Sequence, residues 1–447
     1  MKKGVVDSAF VRSNLRFDGK FHLSEGLEVR HLINRSPYGN SLINDVTSDI
    51  YCPGIFRRNY TKSGTPFLGG GDIQKADYDS GKYLRARTTP NHDILQIKKG
   101  WTLVTCGGTI GCTVFANNLL SKCWVSQHVM RVIPSTIKEG MLYAYLASRY
   151  GHLLLTTNTY GSVIPTLNAS NIASIPIPNF PNEFQQKVDD LVQESALLRE
   201  EATEALEEAV RYFDEKYPIK ENTQKTFTLG LKDLKLGFAA FNNNLEVDEF
   251  INEYADNSYE LKCKTSKIFA PPLFKHIYLN KDNGYPFMTG SELTQFNLRY
   301  YRWLSPRGVK DINDYVVKKG TLLLYKSGTT DGGILGNVFI ADKKLDGCCL
   351  SDHVIRVVFK EEQQAYWAFA FLRSKGGVRM LQRLATGTMI PFITPERLSH
   401  IIIPNPDDNY ERIISLIEKY INLNSKSKEN ENRAINMVES EIERWNN

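Results

Sequence analysis

A chain of 447 residues holds two or three domains, and its 42% hydrophobic and 23% charged shares exclude a disordered or fibrous protein. No apolar run approaches the roughly 18 residues needed to cross a bilayer, and the start MKKGVVDSAFVRSN lacks the apolar stretch of an export signal, so a cytoplasmic protein without a membrane partner is expected. Seven cysteines with no C-x-x-C argue against a disulfide framework or a zinc site and for reduced thiols. The net charge of +5 conceals an asymmetry: residues 183–216 hold eleven acidic and four basic side chains, which leaves the rest of the chain at +12. Basic globular parts beside an acidic segment suit a polyanionic partner, although lysines that only keep a surface soluble give the same balance.

In chain order, residues 1–182 mix short β-rich runs at 94–108, 128–134 and 174–178 with one helical segment, MLYAYLASRYGHLLL (141–155). Strands do not alternate regularly with helices, so the pattern predicts an α+β domain rather than a doubly wound sheet. Residues 183–217 follow as uninterrupted helix-former sequence with no Gly or Pro before Pro218. Val188, Leu191, Ser195, Leu198, Ala202, Ala205, Ala209 and Tyr212 recur at alternating spacings of three and four, the seam of a coiled coil. Roughly 34 residues at about 1.5 Å each predict a rod of about 50 Å.

Residues 218–407 repeat the first domain. SQHVMRV (126–132) matches SDHVIRV (351–357) at five of seven positions, AYLASRYG (144–151) matches AFLRSKGG (370–377), and YGSVIPTL (160–167) matches TGTMIPFI (386–393). IYCPGIFRR (50–58) pairs with IFAPPLFKH (268–276) and PFLGGGDI (66–73) with PFMTGSEL (286–293). The offset between copies grows from 218 to 226, which places a small insertion in the second copy near 331–333. Carrying the seam forward by 226 lands on Ile414, Ile417, Ile421, Asn424, Lys428, Glu431, Ile435 and Val438, and continues in frame to Ile442 and Trp445. The heptad frame thus survives across the polar run NLNSKSKENEN (422–432), which leaves one long helix or two shorter ones open. The expected architecture is α+β with two tandem repeated domains, 1–182 and 218–407. Two long helices, 183–217 and 408–447, separate and close them as an antiparallel coiled coil, pseudo-twofold symmetric.

At this point the chain resembles the DNA-specificity subunits of type I restriction-modification systems. The resemblance is carried by Gly161–Ser162 with Ile164–Pro165, Gly387–Thr388 with Ile390–Pro391, and the runs Ile177–Pro178–Asn179 and Ile403–Pro404–Asn405, each ahead of a long helix. An aromatic with a Gln or Arg opens each helix, Phe184 with Gln185 and Gln186, then Tyr410 with Arg412. Family members often carry adjacent Glu-Gln there; here Phe184 splits Glu183 from Gln185, and the second copy reads Asn409–Tyr410–Glu411. The resemblance implies two target-recognition domains and a non-catalytic subunit that reads a bipartite site on double-stranded DNA. It implies two methyltransferase subunits that use S-adenosylmethionine, and ATP-dependent restriction and translocation subunits in the full complex. No cofactor is implied in this chain. A rod of about 50 Å would set the half-sites roughly 15 base pairs apart, between one and two helical turns.

For a DNA reader, Arg, Lys, Gln and Asn with aromatics on loops are the candidates. In the first copy these are Arg57, Arg58, Tyr60 and Lys62, then Gln74, Lys75, Arg85 and Arg87; in the second, Lys275, His276, Tyr278 and Lys281, then Arg299, Tyr301, Arg302 and Arg307. A solvated loop face is the plain alternative for any one of them. Val188, Leu191, Leu198, Ala205, Ile414, Ile417, Ile421 and Val438 are the spacer seam. Gly107–Gly108–Thr109–Ile110–Gly111 lacks phosphate-loop spacing and reads as a tight turn between strands, with Lys326–Ser327–Gly328–Thr329 as its counterpart. Ser126 with His128 and Ser351 with His353 have no nucleophile elbow, and strand alternation would place each pair on one face. No histidine spacing suggests a metal, and Asn405–Pro406–Asp407–Asp408 is not an amino-methyltransferase motif. A tandem-domain adaptor, or a specificity module of another modification or phage-defence complex, is the competing reading.

Overall fold

The computed structural model describes residues 24–157, 166–220, 226–228, 230, 236–237, 239–298, 302–329, 334–387 and 389–446, with positions 8, 12 and 22. Gly161–Ser162, Ile164–Pro165, the insertion expected at 331–333, Arg299, Tyr301 and Thr388 lie outside the described residues. The chain forms two compact units, one of Met1–Glu200 with Lys426–Asn447 and one of Glu201–Ser425.

In the first unit α1 (Glu25–Asn34), β1 (Asn40–Leu42), α2 (Ile43–Val46) and β2 (Thr47–Tyr51) precede β3 (Thr65–Leu68) and β4 (Tyr83–Leu84). There follow β5 (Thr102–Thr105), β6 (Thr113–Phe115), α3 (Asn118–Ser121), β7 (Trp124–Val125), β8 (Val129–Pro134), α4 (Glu139–Ala147), α5 (Arg149–Thr157), α6 (Ala169–Ala173), β9 (Pro176–Pro178) and α7 (Asn182–Lys216). An antiparallel sheet runs β2-β8-β5-β6, a smaller one runs β4-β3-β7, and β1 pairs with β9. All four residues of β5 are buried because both faces of that sheet are covered. α4 is apolar on every side, the mark of a helix packed all round.

The second unit repeats this plan with α8 (Leu245–Asn252), β10 (Ser258–Glu260), α9 (Leu261–Lys264), β11 (Thr265–Phe269), β12 (Tyr278–Leu279), β13 (Tyr285–Met288), α10 (Gly290–Leu293) and β14 (Arg302–Leu304). β15 (Leu322–Tyr325), β16 (Val338–Ile340), β17 (Cys349–Leu350), β18 (Val354–Phe359), α11 (Glu362–Leu372), α12 (Lys375–Arg383), α13 (Pro395–Ser399), β19 (Ile402–Pro404) and α14 (Tyr410–Glu443) complete it. Its sheets run β11-β18-β15-β16 and β12-β14-β13-β17, with β10 on β19. Even a register slip recurs, at Thr47–Asp49 in one unit and Thr265–Lys267 in the other. β12 is an added edge strand; in the first unit a single bridge from Thr61 to Tyr83 stands in its place.

Two expectations are corrected. The helical segment expected at 141–155 is two helices, broken at Ser148, whose ψ of 160° is extended. Its hydroxyl donates to the Tyr145 carbonyl and accepts from the Gly151 amide. A Cβ on Gly151 would lie 2.2 Å from the Tyr145 carbonyl oxygen, so the sharp corner requires glycine. Ser374 and Gly377 make the same corner in the second unit. Ser126 and His128 do not share a strand face either: they lie in the turn between β7 and β8, with Ser126 buried and His128 exposed, and Ser351 and His353 repeat this. Strand alternation does not apply because neither pair is in a strand.

The C-terminal segment is one helix, α14, without a break across its polar run. Within the first unit Val188, Val192 and Ala196 of α7 share a core with Ala434, Ile435, Val438 and Ile442 of α14. Within the second, Leu206, Ala209 and Phe213 pack with Ile413, Ile414, Ile417 and Ile421. Higher numbers on one helix meet lower numbers on the other, so the pairing is antiparallel. The buried stripe is wider than the expected seam. Val188, Leu198, Ala205, Ile414, Ile417, Ile421 and Val438 are buried, Leu191 is half-buried, and Val192, Ala196, Leu206 and Phe213 are buried beside them. Each long helix faces both its partner and the α/β body, which needs more than two positions per heptad. The polar run is explained by specific partners. Ser195 and Ser427 exchange hydroxyl-to-carbonyl bonds at 2.8 and 2.7 Å, and Tyr143 of α4 donates to Glu431 at 2.5 Å.

Candidate nucleic-acid interface

In each unit the small sheet carries a ring cluster beside the turn that follows its parallel strand. In the first, Phe67 of β3 is buried, with Phe56 edge-on at 6.0 Å and Tyr60 at 6.1 Å between ring centres. The Arg58 guanidinium stands 5.4 Å from the Phe67 ring centre and donates to Gln127 Oε1 at 2.7 Å. In the second, Phe287 of β13 is buried, with Phe274 edge-on at 6.0 Å, His276 at 5.0 Å and Tyr278 at 6.2 Å. His276 occupies the chain position of Arg58, and the cation comes from a different strand. Arg302 of β14 stands 5.6 Å from the Phe287 ring centre and donates to the Tyr278 hydroxyl at 3.2 Å. A cation over a ring face is favourable by about 0.5–2 kcal/mol, so it orders the side chain without committing all of its donors.

A paired carboxylate follows β3 in one unit and β13 in the other. Asp72 accepts from the Gly69 amide at 2.9 Å and pairs with Lys75 at 2.6 Å. Glu292 accepts from the Thr289 amide at 2.7 Å and pairs with Arg302 at 2.8 Å. Burial works to raise the Glu292 carboxyl, but Thr289 and Arg302 outweigh it and hold the carboxyl below its ordinary range.

The structure therefore brings Arg58 and Tyr60 together in one unit and His276, Tyr278 and Arg302 in the other. Arg57, Lys62, Lys275 and Lys281 are exposed in the adjoining loops, and Arg87 and Arg307 are exposed on single 3-10 turns. Arg85 folds back onto Ser63, 2.9 Å from its hydroxyl. Gln74 and Lys75 stand apart from the ring cluster's cation: Gln74 hydrogen-bonds Cys112, and the Lys75 carbonyl accepts from Arg199 of α7 at 2.6 Å. Gly107–Gly111 forms the turn between β5 and β6, with positive φ at Gly108 and Gly111. Among the described residues no cluster of three or more His, Cys, Asp or Glu side chains is placed to hold a metal ion, and no helix is long and apolar enough to cross a membrane.

Sequence reasoning missed the device that shapes the turn after the parallel strand. Arg131 of β8 is fully buried and donates to the carbonyls of Val125, Ser126 and Val129 at 2.5, 2.9 and 2.6 Å. Arg356 of β18 does the same to Leu350, Ser351 and Val354. Burial pushes each guanidinium down to about 10, so both are cations at neutral pH. Each holds the turn that displays His128 beside half-buried Gln127, or His353 beside buried Asp352. The signal was present, since both arginines sit in the best-matched repeat, SQHVMRV and SDHVIRV.

The model of the type I restriction modification DNA specificity domain matches this chain twice, over residues 53–194 and 267–437. No curated protein matches. Among solved structures, the chain is similar to the S subunit of a type I restriction-modification system from M. genitalium. The two are 12% identical, with 92% of this chain and 96% of that one covered and a TM-score of 0.34. It is also similar to the HsdS subunit from Thermoanaerobacter tengcongensis, at 13% identity, 92% and 98% coverage and a TM-score of 0.29.

Proposed function

The chain belongs to the family of type I restriction-modification DNA specificity domains, and from that membership we propose that it is the non-catalytic subunit reading a two-part DNA site, one half-site per unit. The observation that carries the two-part reading is the duplication. The family model matches twice, and each matched segment holds one ring cluster with its own cation and its own arginine-held turn. That the cation comes from Arg58 in one copy and Arg302 in the other suits two readers of different sequence.

In this reading exposed Arg57, Lys62, Arg87, Lys275, Lys281 and Arg307 contact phosphates and position the duplex, while Arg58, Tyr60, His276, Tyr278 and Arg302 approach base edges. Two methyltransferase subunits that use S-adenosylmethionine dock on the chain, and ATP-dependent restriction and translocation subunits complete a cytoplasmic assembly. The chain itself takes no catalytic step and holds no cofactor.

The test is to purify the chain with whatever methyltransferase subunits accompany it and to map the DNA positions the complex methylates. A bipartite motif with an unspecified gap is expected; a single contiguous motif overturns the reading.

A further inference from the structure

Among the described residues, the aliphatic side chains of Ile55 and Leu273 stand largely in solvent, 92% and 82% exposed. They occupy corresponding positions in the repeated runs IYCPGIFRR (50–58) and IFAPPLFKH (268–276). One exposed aliphatic residue needs no explanation. Here the two runs share only Ile50 with Ile268, Pro53 with Pro271 and Phe56 with Phe274, yet both keep a large branched hydrocarbon at a position that is mostly exposed in each copy.

The loop is built to project it. Pro53 and Pro271 are buried on one side, and Phe56 and Phe274 are anchored edge-on against Phe67 and Phe287 on the other. Exposed Arg57 and Lys275 stand two residues further on, with Arg58 and His276 on the ring cluster behind them. A partner for this tip must be anionic at its rim and offer hydrocarbon within. Duplex DNA does so in the major groove, where phosphates line both edges and the C5-methyl of thymine is the apolar group among the base edges.

We propose that Ile55 and Leu273 are specificity-determining residues, each contacting a thymine methyl group in its own half-site. The proposal rests on the DNA-reading function above and names one of its contacts. A hydrocarbon tip makes no hydrogen bond to any base. It favours thymine through the methyl and disfavours cytosine by covering an amino group that it cannot satisfy.

The test uses the complex of this chain with its methyltransferase subunits, once its motif is mapped. Each thymine of the two half-sites is replaced singly by deoxyuridine, which lacks only the methyl group. One thymine in each half-site is expected at which the replacement lowers the methylation kcat/KM about fourfold, the worth of one buried methyl group. Ile55→Ala should erase that ratio in one half-site and leave it in the other, and Leu273→Ala should do the reverse. An unchanged thymine-to-uracil ratio in both variants, or no sensitive thymine in the wild type, overturns the proposal. So does a 2-aminopurine probe that brightens beside the site in the wild type, dims in Ile55→Ala and ignores deoxyuridine, which marks a wedge between bases instead. Both residues are exposed, so circular dichroism of the variants should match the wild type. A wild-type complex that methylates no bipartite site refutes the underlying reading, and that outcome is separate from any effect of the variants.

Discussion

Arg131 and Arg356 show how much one buried side chain decides. Each guanidinium collects three carbonyls from a tight turn and the strand ends that flank it, and each stays charged because burial takes it down only to about 10. Arg131→Met removes the guanidinium donors from those carbonyls and leaves that of Ser126 only the Val129 amide and that of Val129 only the Cys52 thiol. It should destabilise the first unit by about 3–5 kcal/mol, read as a lower urea midpoint. Arg131→Lys should not restore stability, because a point ammonium cannot span carbonyls on both sides of the turn. Arginine in an apolar β-run reads locally as an outward-facing cation, since burial follows from the turn folding over it. That is why the repeat was legible while the role of its arginine was not.

At the scale of elements, the long helices were legible from period and frame, but their packing was wider than a coiled-coil seam. Ile417 is fully buried and Leu191 only half-buried. Ile417→Asp should therefore cost on the order of 3–5 kcal/mol and Leu191→Asp distinctly less, a contrast that thermal denaturation would show. Gly377→Ala places a Cβ 2.3 Å from the Phe371 carbonyl oxygen and should cost about 1–3 kcal/mol in the same measurement. The start of α14 is tied to the end of α7 through Asp407, which accepts from Tyr212 and pairs with Lys216. Burial alone would raise the Asp407 carboxyl, but Lys216 and Tyr212 outweigh it and hold it low. Burial works to lower the Lys216 ammonium, and Asp407 and Tyr212 outweigh it and raise it. The Asp407 contribution is present above its unfolded value of about 3.9 and lost as pH falls through the depressed folded one. The Lys216 contribution is present below about 10.4 and lost as pH rises through the raised one. Asp407→Asn should lower the Tm near neutral pH and converge on the wild type at acid pH. A difference that persists at acid pH would assign the loss to packing instead.

For the whole molecule, two units of one topology with different displayed side chains predict separable specificities. Replacing 55–62 by the corresponding 273–280 should alter one half of the methylated motif and leave the other intact, as methylation mapping would reveal. A change in both halves would exclude independent readers. Arg57→Ala should weaken duplex binding almost uniformly across sequences and reduce the slope of log K against log salt by about one. A variant that instead relaxes the motif at one position would make Arg57 a base reader.

By itself the sequence determined the duplication, the α+β class, the two long helices and the family resemblance. All of these are written in order, period and frame along the chain. Tertiary structure alone decided the corner at Ser148, the width of the helical stripe, the partners of Ser427 and Glu431 in the polar run, and the burial of Arg131 and Arg356. It also decided which cation stands over each ring cluster, Arg58 from two residues beyond Phe56 or Arg302 from the neighbouring strand β14. Such pairings depend on what the fold brings within a few ångströms, and side chains on different strands carry no mark of one another in their local sequence.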